Sequence, residues 1–288
     1  MADKPNLPRR LSRGARTLFG LYRIYGRLDL LWLSRDTGYC LLYMVSDTIC
    51  AGASVGGVLL LCERLGGFGG MGKNELLFLL SYAVLVSGLC GMLFCGNNMG
   101  HISRIIGRGQ LDHCMIQPVP LWMQLLAGGF LPFTGSSKLL CGAAMCVYSI
   151  RRLGIAVTPG WTVCFLLGAL ASAGIMMATV YLISCLAFLA PAAAEEISMT
   201  AFDLFETLKS YPLGSLPILW QAVLCSAVPV GLTAWLPSRA LLRPDFPLPG
   251  LTILAAVFFL SLAAFTFQRG MLYYASHGSP RYSGFGHR

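Results

Sequence analysis

The chain alternates between long apolar runs and short polar stretches. Six runs stand out: Gly38–Cys62, Leu76–Cys95, Leu121–Ile150, Trp161–Ala190, Leu216–Leu236 and Leu251–Phe267. Most reach the roughly 20 residues that an α-helix needs to cross a bilayer. The third and fourth are longer, which predicts tilting or extension beyond the hydrocarbon. Pro132 and Pro229 fall inside the third and fifth runs. Each removes a backbone donor, so a kink is expected at both. Residues 1–14 are polar, carry Pro5, Pro8, Arg9, Arg10 and Arg13, and read as a disordered tail. From Ala15 to Asp36 the spacing turns helical. Leu18, Leu21, Tyr22, Tyr25, Leu28 and Trp32 recur every three or four residues, and Arg16, Arg23 and Arg27 share the polar side. This predicts an amphipathic helix in the membrane interface. The expected fold is all-α: a polytopic membrane protein of about six transmembrane helices. Residues 1–37 form the tail and interfacial helix, 38–270 the six-helix domain and 271–288 a C-terminal tail.

Composition agrees. Of 288 residues, 56% are apolar and 11% charged, with a mean hydropathy of +0.68, whereas soluble domains carry about 25% charged residues. The net charge is +9. Much of the excess lies in the first 37 residues, beside the first run, where it suits anionic lipid headgroups better than nucleic acid. With the N-terminus inside, the loop lysines and arginines divide 14 inside to 6 outside, which places both termini in the cytoplasm. Ten of the 11 cysteines fall within or at the ends of apolar runs, Cys114 being the exception, and no pair has metal-ligand spacing, so they read as small hydrophobes. The basic N-terminus has no short apolar core with a cleavage site, so no signal peptide is expected.

Two motif matches fail on context. The stretch from Gly67 to Asn74 nearly fits a phosphate-binding loop, but Asn74 replaces the Ser or Thr that holds Mg²⁺ and no strand precedes it. Gly52, Ser54 and Gly56 fit the GxSxG pattern of a serine nucleophile. No histidine lies in any run to serve as base, and glycines four apart in an apolar helix suit close helix packing. Gly52 and Gly56 are therefore expected to pack against another helix.

Charged positions carry the remaining signal. Asp47 and Lys138 fall inside apolar runs, where charges are costly and tend to pair. Between the second and third runs, Ile102, Arg104, Ile105, Ile106, Arg108, Leu111 and Asp112 read as a structured loop. Its isoleucines are expected to seat in a groove on a partner, and Gly107 and Gly109 to permit a sharp turn. Residues 195–209 alternate apolar and acidic positions and predict an amphipathic helix on the inner surface.

Ile106, Arg108, Gly109, Leu111 and Asp112, followed by Gln117 and Pro118, resemble the IRxGxLD…xP signature of bacterial type-2 ABC transporter permeases. Gly107 stands where that family often has Arg. A second block resembles the family's SYP…P…VP…P segment: Ser210, Tyr211, Pro212 and Pro217, then Val228, Pro229 and Pro237. The resemblance implies a permease subunit of an ATP-driven exporter in the cell membrane. It implies an ABC ATP-binding subunit and a second permease chain as partners, with Ile102–Asp112 as the ATPase-coupling loop. No cofactor is expected, and ATP hydrolysis belongs to the partner. The alternative is an intramembrane enzyme, either a protease or a lipid-modifying one.

Overall fold

The computed structural model describes residues 7–98, 102–243 and 249–278. Among these residues the chain forms twelve α-helices. They are α1 (Leu7–Arg35), α2 (Thr37–Leu65), α3 (Lys73–Asn98), α4 (Ile102–Gly107), α5 (Gln110–Ile116), α6 (Leu121–Ala127), α7 (Ser137–Leu153), α8 (Pro159–Ser184), α9 (Pro191–Leu208), α10 (Ile218–Ser226), α11 (Trp235–Leu242) and α12 (Pro249–His277). Four of them are long and apolar enough to cross a membrane: α2, α3, α8 with its 3-10 extension, and α12. These match the first, second, fourth and sixth apolar runs.

The core lies where α3, α7 and α8 meet. Phe78, Tyr82 and Val86 of α3 are buried with Cys146 of α7 and with Ala169, Ala173 and Met176 of α8. Glycine sets the α3–α7 distance. A Cβ on Gly142 would lie 2.5 Å from the Leu85 amide nitrogen, and one on Gly88 would strike the Leu139 backbone. The two helices therefore touch backbone to backbone, the close approach that small residues allow in membranes. On the other side of α8, Ile175 and Ala178 pack against Ala256, Phe259 and Ala263 of α12.

The third run is broken rather than kinked. Helix α6 stops at Ala127, and α7 starts at Ser137 after a 3-10 turn at Thr134–Ser136. Pro132 explains part of this, since it cannot continue the helical ladder. The amides freed by the break find a carboxylate. Asp29 of α1 accepts from the Phe133 amide at 2.7 Å, the Thr134 amide at 3.2 Å and the Thr134 hydroxyl at 2.5 Å. Tyr22 of α1 meets Phe130 edge to face at 4.9 Å. Thus α1 docks on the break, at the end of the bundle that carries α4. It begins at Leu7, earlier than the sequence pattern suggests, and residues 1–6 of the expected tail lie outside the described residues.

The fifth run is also not a continuous helix. It divides into α10 and α11, of 9 and 8 residues, each only about 13 Å long at 1.5 Å per residue. Pro229 lies in the turn between them. That turn reaches inward, where Leu232 packs with Ile175 and Ala256. The other end of the hairpin stays near the start of α8, where the Trp161 indole donates to the Leu241 carbonyl at 3.1 Å. The pair forms a hairpin that dips into the bundle from the end opposite α4.

The helix that runs along the bundle at this place is α9. Its first residues meet α4, and Gly107 abuts Pro191. Beyond its last turn, Lys209 reaches Ser87 in α3 and Met176 in α8. Pro212 and Gly214 then meet Gly69 in the α2–α3 loop. Its 18 residues cover about 27 Å, close to the thickness of a bilayer core. The helix expected at 195–209 is present, but it runs along the bundle from α4 towards the α2–α3 loop and does not lie flat across one end. It carries four acids, at 195, 196, 203 and 206.

Candidate functional site: an end loop and a charged cavity

The α4–α5 loop is built by one glycine turn. Helix α4 closes with the Arg108 amide donating to the Arg104 carbonyl at 2.9 Å. Gly109 then takes φ +68°, a left-handed conformation that glycine adopts without steric cost, and α5 starts. Gln117 and Pro118 end α5, and the Gln124 amide ties the loop to α6 by donating to the Cys114 and Val119 carbonyls at 2.9 and 2.6 Å. Burial raises the Cys114 thiol pKa, which keeps it a neutral, weakly reactive thiol.

The isoleucines do not point at a partner, which corrects the sequence expectation. Ile102, Ile105, Ile106 and Leu111 are buried with Phe188, Ala194 and Tyr274 of the same chain. Their burial follows from the loop folding back under α8 and α12. Asp112 accepts a hydrogen bond from the Tyr274 hydroxyl at 2.8 Å, which links the loop to α12. The side chains left outside are Arg108, Gln110, His113, Met115 and Ile116, the last 81% exposed.

Glu195 joins the loop to α9. Its Oε1 lies 3.1 Å from Arg104 Nε and 3.4 Å from an Arg108 terminal nitrogen. The first is a charge contact without hydrogen-bond geometry; the second is a hydrogen bond. The tight approach of Gly107 to Pro191 sits beside this pair of contacts. A Cβ at 107 would lie 3.1 Å from the Pro191 carbonyl oxygen, so Gly107 lets α4 and α9 meet.

Asp47 and Lys138 are brought together. Lys138 Nζ lies 2.7 Å from Asp47 Oδ1, and the Ser137 hydroxyl donates to Asp47 Oδ2 at 2.7 Å. Both donors come from the first turn of α7, just beyond the break in the third run. A second charged group lies nearby and escaped the sequence reading. Lys209, with its side chain 2% exposed, pairs with Glu206 and donates to the Ser87 hydroxyl at 2.5 Å. Ser87 in turn donates to Glu206 Oε2 at 2.9 Å. Lys138, Ser87, Glu206 and Lys209 line one cavity of about 250 Å³, together with Ser54 and Thr207.

Gly52 and Gly56 are not brought against any helix. A Cβ at either position would meet nothing within 4 Å. Glycines that do bring long helices together are Gly88 and Gly142, among others. Helix α2 runs unbroken through Gly52–Gly56, so Ser54 sits on a regular helix, without the strained turn that exposes a GxSxG nucleophile. The Gly67–Gly72 stretch is a tight loop with a short Phe68–Met71 bridge.

Among the described residues, an all-helical bundle with four helices long and apolar enough to cross a bilayer defines a multi-pass membrane protein. The chain belongs to the ABC-2 family of transporter proteins, whose family model matches residues 49–278. It is thus a membrane permease of an ABC transporter, a transport subunit whose relatives work with ABC ATP-binding subunits. No curated protein and no solved structure matches it.

Proposed function

We propose that this chain is the permease subunit of an ATP-driven exporter in the cell membrane, with both termini cytoplasmic and ATP hydrolysed by a separate subunit. The α4 end then faces the cytoplasm and the α10–α11 hairpin the outer side. The observation that carries the reading is the polar stripe on α9. Glu196, Thr200, Asp203 and Thr207 follow one another along its exposed side, opposite the buried Ser198, Phe205 and Lys209. Acids on a crossing helix do not face hydrocarbon; they face protein or a water-filled passage. A passage along α9, closed by a second permease chain, gives these acids water. The exposed faces of α2, including Gly52 and Gly56, are available to that second copy.

Force enters at the loop. The surface open to an ATP-binding subunit is Arg108, Met115 and Ile116, and the Arg104–Glu195–Arg108 contacts pass its movement to α9. The test is co-expression with an ABC ATP-binding subunit. The parent chain brings that subunit down and raises its ATP hydrolysis, while Arg108→Glu and Ile116→Asp insert normally and lose both effects. Full association and stimulation in both variants would place coupling elsewhere, with α1 the next candidate.

A further inference from the structure

The charged cavity has a composition that points to its ligand. Two pairs of opposite charges reach it from different helices. Asp47 of α2 holds Lys138 of α7, and Lys209 holds Glu206. Lys209 is buried, and its donors go to Ser87, Met176 and Glu206, so it supports Glu206 from behind and offers nothing to a ligand. Glu206 keeps 24% of its side chain accessible and Lys138 keeps 36%. Asp47 accounts for one of the three donors of the Lys138 ammonium. The cavity therefore meets one open carboxylate and one open ammonium on separate walls, and these two are not an ion pair with each other.

We propose that this cavity binds a zwitterionic polar group, with its anionic end at Lys138 and its cationic end at Glu206. Each protein charge is already balanced by its own partner. A singly charged ligand would leave one charge in the half-buried cavity without a counter-charge, an imbalance that water screens only in part. A zwitterion adds one charge of each sign and places each beside its opposite. The Ser54 hydroxyl supplies a donor and an acceptor, and the Thr207 hydroxyl, which donates to the Asp203 carbonyl at 2.9 Å, keeps an acceptor for the ligand. The volume of about 250 Å³ corresponds to about eight waters at ~30 Å³ each, which fits a headgroup or a dipeptide and excludes a whole lipid. The same chemistry comes from a phospholipid headgroup or from a free zwitterion. As a substrate site this assignment rests on the permease reading; as a binding site it does not.

The test uses the full chain in nanodiscs of phosphatidylglycerol, without an ATPase. Glycerophosphoethanolamine, whose phosphodiester and ammonium carry one charge each, is titrated as the soluble probe, with glycylglycine as a second zwitterion and ethanolamine and dimethyl phosphate as singly charged comparisons. Native mass spectrometry then scores retention of added phosphatidylethanolamine. Glycerophosphoethanolamine should bind about tenfold or more tightly than ethanolamine or dimethyl phosphate, since a charge-assisted contact is worth about 1.5–3 kcal/mol. Glu206→Gln and Lys138→Met should each remove that advantage. Asp47→Asn with Lys138→Met, which leaves no orphaned charge, should remove it as well. Retained phosphatidylethanolamine identifies a lipid source, and glycylglycine binding without retention a free one. The proposal is overturned if no zwitterion binds, if a singly charged probe binds equally well, or if the variants keep the parent's affinity. Loss of ATPase association with binding intact would sink the permease reading and leave the site standing.

Discussion

Helices α9 and α12 both run the height of the bundle and both pack against α8, yet they differ in what they expose. Outward from α12 point Leu254, Val257, Phe258 and Phe265. Outward from α9 point Glu196, Thr200, Asp203 and Thr207 in one stripe, with Ile197 and Leu204 exposed along its flank. The face of α12 suits hydrocarbon and the polar stripe of α9 does not. Helix α12 belongs to a scaffold with α3, α7 and α8, closed by glycine contacts and apolar side chains. Helix α9 belongs with α2 to a half that carries charges on facing surfaces. The scaffold half has backbone-to-backbone contacts at its glycines, and the charged half carries the Asp47–Lys138 and Glu206–Lys209 ion pairs, so the two should respond differently to substitution.

The largest effect is expected where the scaffold has no room. Gly142→Leu forces a side chain into the backbone of α3 and should cost about 3 kcal/mol, the upper range for overpacking, with Gly88→Leu similar. Gly52→Leu meets open space and should leave the thermal stability of the isolated chain unchanged, as read by thermal unfolding in detergent. Equal losses in Gly52→Leu and Gly142→Leu would erase the distinction between the halves. A smaller loss is expected at the α1 junction. Asp29→Ala leaves two amides and a hydroxyl without their acceptor and should cost about 1–3 kcal/mol. It should also speed proteolysis within α1, while Arg27→Ala, two residues away and exposed, should not.

The Asp47–Lys138 pair should give the smallest change. Because Lys138 is about one-third exposed, water screens part of the interaction, so Asp47→Asn should cost about 1 kcal/mol. Adding Lys138→Met should recover some of it, because the lysine then no longer lacks a counter-charge. Strictly additive losses in the double variant would mean that the two side chains act separately.

The scaffold was legible in the sequence because its signal is local. A run of about 20 apolar residues defines a candidate crossing helix without reference to its neighbours, and α3, α8 and α12 of the scaffold were found this way, as was α2 beside it, whereas α7 was read as one helix with α6. The charged half was not legible for the opposite reason. Helix α9 carries four acids within 18 residues; Glu195 is met by the sequence-distant Arg104 and Arg108, and Glu206 by the distant Ser87 as well as the nearby Lys209. The fifth apolar run misled in the same way: Leu216–Leu236 has the length of a span but folds as half of a hairpin around Pro229. The glycines at 52 and 56 have the spacing of a packing motif, whereas Gly88 and Gly142 lie on different helices and make no motif. The coupling loop was found by its signature, but its isoleucines were assigned to a partner when they serve their own chain. Asp29 left one readable trace. It continues the line of Leu18, Tyr22 and Tyr25 on an otherwise apolar side of α1, where an acid needs a partner.

The account depends most on α9 crossing the membrane with its polar stripe in water. Single cysteines placed in a cysteine-free background test this directly, using a charged, membrane-impermeant maleimide on the protein in vesicles. Asp203→Cys and Thr207→Cys on α9 are compared with Leu254→Cys and Phe258→Cys on α12. The account predicts labelling at 203 and 207 and none at 254 and 258. Protection at 203 and 207 equal to that at 254 and 258 would place the stripe in lipid or in a dry interface, and the passage along α9 would be lost.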